Sequence, residues 1–206
     1  MNELKLFQAE CARAEATLRG ISGDDWQRPG LGEWTLHQLA VHLTRGAGRL
    51  AVYLSQPIDG PPVKDRVSYF QYDPEQVAPG VAARAMQEAA ELQPADVADT
   101  FAVAWRAGVQ AAGEGAADQI MATPFGPMYV AEYVATRVLE MVVHHMDVRR
   151  ALDLAPDPDP EAGALVVEIL EALLEGDRPR NLGRDRFILV ATGRLPHDDP
   201  RFPVLR

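Results

Sequence analysis

The sequence predicts an all-α protein: a bundle of amphipathic helices followed by an additional C-terminal helix and a short extended tail. Three observations carry this. Apolar residues recur at alternating spacings of three and four through most of the chain, the pattern of a helix with one buried face. Capping residues, prolines and glycines stand where these stretches begin and end. The stretch from Tyr129 to Leu152 holds the helical period longest and carries the densest chemistry.

Residues 3–19 form the first predicted helix, with Leu4, Phe7, Cys11, Ala14 and Leu18 on one face, Asn2 as its cap and Gly20 as its end. Ser22 to Trp26 reads as a capped turn whose indole packs back on the bundle, and residues 28–32 as a loop. Thr35 suits the N-cap of a second helix over 36–55, with Trp34 placed to staple its start. At 100° per residue, His42 falls on the flank of the stripe Leu36, Leu39, Leu43, Ala47 and Leu50, within reach of a groove between helices. His37 points to solvent on the same wheel. Pro57 to Pro62 is a loop, and Lys64 to Asp73 is irregular; its aromatics Tyr69, Phe70 and Tyr72 suit either a site wall or the cover of a core edge.

A third helix is predicted from Val81 to about Gln93, and a fourth after Pro94 with Val97, Phe101, Ala104, Trp105 and Gly108, stopped by Gly113-Glu114-Gly115. Gln119 to Thr123 is extended and Pro124 to Pro127 turns. The helix from Tyr129 to Leu152 turns Val130, Tyr133, Val134, Met141, Val148 and Leu152 inward. Ala155 to Pro160 is a rigid acidic linker; Asp159 then caps a helix that Pro160 opens and Gly176 closes, with Leu165, Ile169, Ala172 and Leu173 inward. Residues 185–193 fit a short helix ended by Gly193 or a buried strand, and we read them as helix. The expected division is a bundle over 1–155 and a short extension over 156–206 packed on it.

The bulk numbers narrow the function. A chain of 206 residues, 47% hydrophobic and 24% charged, is that of a soluble globular protein. No apolar run approaches the roughly 20 residues of a membrane span, and no leader pattern is evident, which predicts a cytoplasmic protein without membrane contact. A net charge of −10 repels a phosphate backbone, so nucleic acid is disfavoured and a small molecule is the better partner. The single Cys11 excludes a cysteine cage or internal disulfide and reads as a small buried side chain. Phosphate-cradle, dinucleotide and nucleophile-elbow patterns are missing.

Glu140-x-x-x-His144 is the constellation with ligand spacing. On a helix the two lie within about 40° of each other, beside the apolar face. With His42 from another helix they make two ligands from one helix and a third from a neighbour, leaving a coordination position open. The same spacing fits a partly buried Glu–His ion pair equally well. His145 is rotated about 100° further and is structural, or a group of the outer shell or pocket. Asp147, one turn below His144, is placed to hold an imidazole N–H or to bond Arg150 or a backbone group. His197 reads as solvated.

Four segments, in order, carry a resemblance: Glu33-Trp-Thr-x-x-x-Leu-Ala-Val-His42-Leu, Thr123-Pro-Phe-Gly-Pro-Met128, Arg137-Val-Leu-Glu140-Met-Val-Val-His144-His-Met-Asp147 and Ala191-Thr-Gly-Arg194. Together they resemble the mycothiol-dependent maleylpyruvate isomerase family of the DinB-like superfamily. The resemblance implies a DinB-like four-helix bundle holding a divalent metal, usually zinc, with His42, Glu140 and His144 as ligands. It implies mycothiol as thiol co-substrate and a transferase or isomerase reaction on a small electrophilic substrate; metal chemistry then predicts that coordination makes the thiol a thiolate near neutral pH, able to attack that substrate. The family's isomerases carry a larger C-terminal domain than the 46 residues after Pro160 here, which points away from maleylpyruvate itself. Tyr69, Phe70, Tyr72, Met128 and His145 are the candidate pocket wall and Arg194 the candidate anion contact. A non-catalytic metal-binding or sensing bundle and a metal-dependent hydrolase are the alternatives, and exposed apolar helix faces are compatible with a homodimer.

Overall fold

A computed structural model describes residues 1–56, 58–113 and 117–205. Seven α-helices appear among them: α1 (Asn2–Arg19), α2 (Leu36–Leu54), α3 (Pro74–Glu91), α4 (Val97–Gly113), α5 (Val130–Ala151), α6 (Pro160–Leu174) and α7 (Arg184–Ala191). Among the described residues the β structure is one antiparallel pair, β1 (Ile120–Met121) with β2 (Met128–Tyr129), and two isolated bridges, Pro29 with Thr35 and Lys64 with Met128. The all-α expectation holds, and residues 184–191 are helical. No described helix is long and apolar enough to cross a membrane.

The bundle is a closed square. α1 packs on α4, α4 on α2, α2 on α5 and α5 back on α1. Each helix turns its apolar stripe to a common core that includes Phe7, Leu18, Leu43, Phe101, Tyr133 and Leu139. α6 lies against α5 and α1, and α7 against α6. That cover explains why α5 is buried nearly all round, from Val130 to Val148, rather than along one stripe. The sequence shows no clean polar face there because the extension supplies the other side.

Local signals account for most boundaries. Thr35 forms a full capping box with Gln38 at the start of α2. Asp159 accepts from the N–H groups of Glu161 and Ala162, with Pro160 in the first turn of α6. At α1 the expected Asn2 cap is not used; Met1 holds that position and Asn2 is already helical. α3 starts seven residues before the predicted Val81. Asp73 caps it through Glu75 N–H and Pro74 occupies the first turn, and these outweigh Pro79, an exposed residue inside the helix. In α6 the inward residues include Ala162, Leu165, Val166, Ile169 and Leu170, whereas Ala172 is exposed and Leu173 half-buried. Of the stop expected at Gly113-Glu114-Gly115, the last two positions lie outside the described residues.

Candidate metal centre

α2 and α5 meet so that His42 faces Glu140 and His144. One donor atom from each residue lies within 4.8 Å of the others, and among the described residues no other such group forms. Nε2 of His144 is 3.5 Å from Oε2 of Glu140, and the His42 and His144 rings meet edge to face with centroids 4.9 Å apart.

The electrostatics favour His42 and Glu140 as donors, while His144 would give up a proton to a bound ion. Burial, reinforced by nearby His144, pushes the His42 imidazole down to about 3, so it is neutral across the physiological range. Burial opposes ionisation of Glu140, but the His144 hydrogen bond and the Arg137 charge outweigh it and hold the carboxyl well below its usual range. Burial likewise opposes a charge on His144, yet its bonds to Asp147 and Glu140 raise it. Nδ1 of His42 is buried with no hydrogen-bond partner among the described residues, a polar atom in need of one.

A second layer lies behind His144. Its Nδ1 is 3.2 Å from Oδ2 of Asp147, a carboxylate without solvent exposure. Arg194 grips that carboxylate, Nη2 at 2.8 Å and Nε at 3.2 Å, while its Nη1 donates to the Thr192 carbonyl at 2.7 Å. Gly193, at φ +73° just past α7, makes the turn that sends Arg194 back toward α5.

The three donors open into a cleft of about 640 Å³. Its walls come from four places: Leu31 and Trp34 before α2, Tyr72 with Val77 and Val81 of α3, Leu139 and Val143 of α5, and Pro203 with Leu205 of the tail. Trp34 lies against His42 with ring centroids 5.1 Å apart. A Cβ on Gly30 would come within 2.7 Å of the Thr35 carbonyl oxygen, so glycine is required for the loop that presents this indole. The early start of α3 matters here, because Val77 and Ala78, ahead of the predicted start, line the cleft with Val81 and Ala82.

The pocket candidates separate into distinct groups. Tyr72 and Arg194 line the cleft. Tyr69 does not; it is buried behind Phe125, which stacks on Tyr72 at 4.8 Å. Phe70 packs against Tyr69, and Met128 is fully buried in the core at the β1–β2 pair. His145 lies on another face of α5. There Nδ1 meets Oε1 of the buried Glu10 at 2.6 Å and Nε2 meets Thr17 Oγ1 at 2.9 Å, while Glu10 also accepts from Asp159 N–H at 2.7 Å. That cluster ties α1 and the linker to α5.

Two other histidines differ from expectation. His37 is half-buried rather than solvent-facing: its Nε2 lies 2.9 Å from the Leu92 carbonyl oxygen and its ring packs edge-on to Trp26. His197 is half-buried beside Phe202, and its Nδ1 accepts from Asp199 N–H.

Sequence reasoning missed Arg137. It is buried, with its guanidinium over the rings of Tyr133 and Tyr69 at 4.9 and 5.5 Å. The signal was its place one turn before Glu140, where a half-buried carboxylate gains from a compensating charge.

The sequence model described as "Mycothiol maleylpyruvate isomerase N-terminal domain" matches residues 7–149, which span every residue of the three-donor group. Two solved structures share the fold, a mycothiol-dependent maleylpyruvate isomerase and a histidine-to-alanine mutant of one. The mutant superposes with a TM-score of 0.58 at 16% identity, covering 84% of this chain and 68% of that one. The other gives a TM-score of 0.55 with the same identity and coverage. No curated protein matches the chain. A match over more than half the sequence, joined to the shared bundle, establishes that the chain belongs to the mycothiol maleylpyruvate isomerase N-terminal domain family of enzymes.

Proposed function

We propose that this chain is a metal-dependent thiol transferase or isomerase that uses mycothiol as co-substrate and acts on a small electrophile. The observation that carries the reading is the meeting of His42, Glu140 and His144 at the wall of an otherwise apolar cleft. Two imidazoles and a carboxylate suit a zinc-class ion, and three protein donors beside a cleft leave a position for substrate. The neutral His42, the ionised Glu140 and the unpartnered buried nitrogen of His42 fit that assignment.

Each side chain then has a task. His42, Glu140 and His144 hold the ion. Asp147 accepts the Nδ1 proton of His144, which fixes the ring so that Nε2, beside Glu140, would face the ion once its proton is released. Arg194 keeps Asp147 ionised and in place, and Arg137 balances the charge of Glu140 from beneath. Trp34, Leu139 and Val143 exclude water from the reacting groups. A bound divalent ion would supply Lewis acidity, lowering the pKa of a thiol beside it so that thiolate is available near neutral pH. Cys11 is fully buried and takes no part. In this reading residues 1–155 are the metal-binding bundle, and 156–206 an extension that completes the cleft through Thr192, Arg194 and Pro203.

Two measurements test the proposal. Elemental mass spectrometry should find near-stoichiometric zinc or nickel in the purified protein and none in His144→Ala. Mycothiol offered with a panel of electrophiles should give conjugates or isomerised product only with the thiol present. A folded wild type that takes up no added zinc would end the metal reading. Turnover independent of thiol would replace transfer with hydrolysis by a metal-activated water.

A further inference from the structure

We infer that the opening turn of α3, residues 74–78, is a hinged flap that turns about Pro79 and Gly80 and closes on whatever occupies the cleft. The inference does not depend on the thiol-transfer reading, because it concerns how the wall moves and not what reacts behind it.

The two halves of α3 are held very differently. The C-terminal half is anchored. Ala85 and Ala89 are buried, Glu88 pairs with Arg45 of α2, and the Leu92 carbonyl just past the helix lies 2.9 Å from His37 Nε2. The N-terminal half has no such support. No residue from 75 to 84 is buried, and among the described residues no side-chain hydrogen bond or ion pair ties that stretch to another element. The bonds it has are local: Asp73 accepts from Glu75 N–H at 3.0 Å and from Gln76 Nε2 at 2.8 Å. The turn therefore keeps its own shape and moves as a unit. On its far side the segment leaves a fixed point, since Tyr72 is stacked on Phe125 and Phe70 is buried.

The join between the halves is weak. Pro79 has no N–H to return to the carbonyl one turn back, and its ring crowds that carbonyl. Gly80 follows, the residue that resists a backbone change least. Neither lines the cleft, whereas Val77 and Ala78 ahead of them and Val81 and Ala82 behind them do. The flap thus turns an apolar face to an open volume of about 640 Å³ instead of a packed partner. That face gains burial only when the cleft is filled, so occupancy supplies the free-energy difference that closure needs. A closed flap also keeps water from the groups beneath it.

A frayed helix end is the plain alternative, and it would be blind to the cleft. Amide hydrogen exchange, resolved residue by residue, separates the two by comparing Val77, Ala78, Gly80 and Val81 with Gln87 to Ala90. In the free protein the first group should exchange at least tenfold faster. Two occupants are then added separately: N-phenyl-1-naphthylamine, a neutral fluorophore that reports its own binding, and mycothiol with zinc-loaded protein. Either should slow the first group at least tenfold and leave the second within about twofold. Slowing by the fluorophore alone would keep the flap and count against the thiol reading. If neither slows the first group, or if all of α3 slows alike, the inference is overturned.

Pro79→Ala combined with Gly80→Ala restores the missing N–H and stiffens the join without touching the cleft wall. Pro79 is exposed, and a Cβ on Gly80 would meet the Arg84 guanidinium at 3.2 Å, the far end of a flexible side chain. Pro79→Ala alone serves should the pair fail to fold. The stiffened helix should exchange in the free protein as slowly as its anchored half and bind the fluorophore at least tenfold more weakly. Wild-type affinity in that variant would overturn the inference.

Discussion

Nδ1 of His144 lies 3.2 Å from Oδ2 of Asp147, and the same buried carboxylate is gripped by Arg194 from the C-terminal turn. One hydrogen-bonded line thus runs from the segment after α7, through α5, to the candidate centre. Asp147 is held down at about 2: burial opposes its ionisation, and the bonds from His144 and Arg194 outweigh it.

If that carboxylate sets the tautomer and angle of His144, Asp147→Asn should weaken zinc affinity about 10- to 100-fold while leaving the helical content intact. Competition against a chelator of known affinity reads this directly. Unchanged affinity would reduce Asp147 to an anchor for Arg194.

Gly193 controls the other end of the line. Its φ of +73° is costly for a side chain bearing Cβ, so Gly193→Ala should lose about 1–2 kcal/mol of stability. Displacing the turn also loosens Arg194, so zinc affinity should fall with it. Urea unfolding and the chelator assay, run together, check both. A variant as stable as the wild type would show that the turn relaxes freely.

The donor pair was legible because Glu140 and His144 share one helix, where a spacing of four decides the geometry. His42 could be placed on the flank of its stripe for the same reason. Matters that depend on long-range packing were not legible. His37 reads as exposed until Leu92, 55 positions away, supplies a carbonyl. Glu10 and His145 break their apolar surroundings in α1 and α5, but nothing local says that they meet across 135 positions. Val81 reads as helical, yet its role in the wall depends on how α3 lies over α2. The tail residues Pro203 and Leu205 had no periodic signal at all.

Glu132 offers a test of the scaffold by pH. It accepts Arg66 through the backbone N–H at 2.8 Å and Nη2 at 2.6 Å, and Arg66 also reaches Glu3. Burial opposes ionisation of Glu132, but the Arg66 bonds outweigh it and lower its pKa. A depressed folded pKa gives stability that is present above the unfolded value of about 4.3 and lost as pH falls through the folded value. Glu132→Gln should therefore cost about 1–2 kcal/mol at pH 7, with wild type and variant converging in acid. A gap that stays constant down to pH 3 would assign the loss to shape rather than charge.

Neighbouring histidines should part company. His144 faces the cleft and His145 faces α1, where it bonds Glu10 and Thr17 with almost no solvent exposure. Replacing His145 by alanine leaves the Glu10 carboxylate buried with only the Asp159 N–H as partner, which should cost about 3 kcal/mol. The proposed ligands are untouched, so bound zinc per folded molecule should match the wild type. His144→Ala should do the reverse, losing the metal with a smaller loss of apo-protein stability, since Asp147 retains Arg194. Measuring zinc content and urea midpoints for both variants separates the two roles. Loss of zinc from folded His145→Ala would mean that the α1–α5 contact sets the angle of α5 at the centre, and that the two faces of the helix act as one.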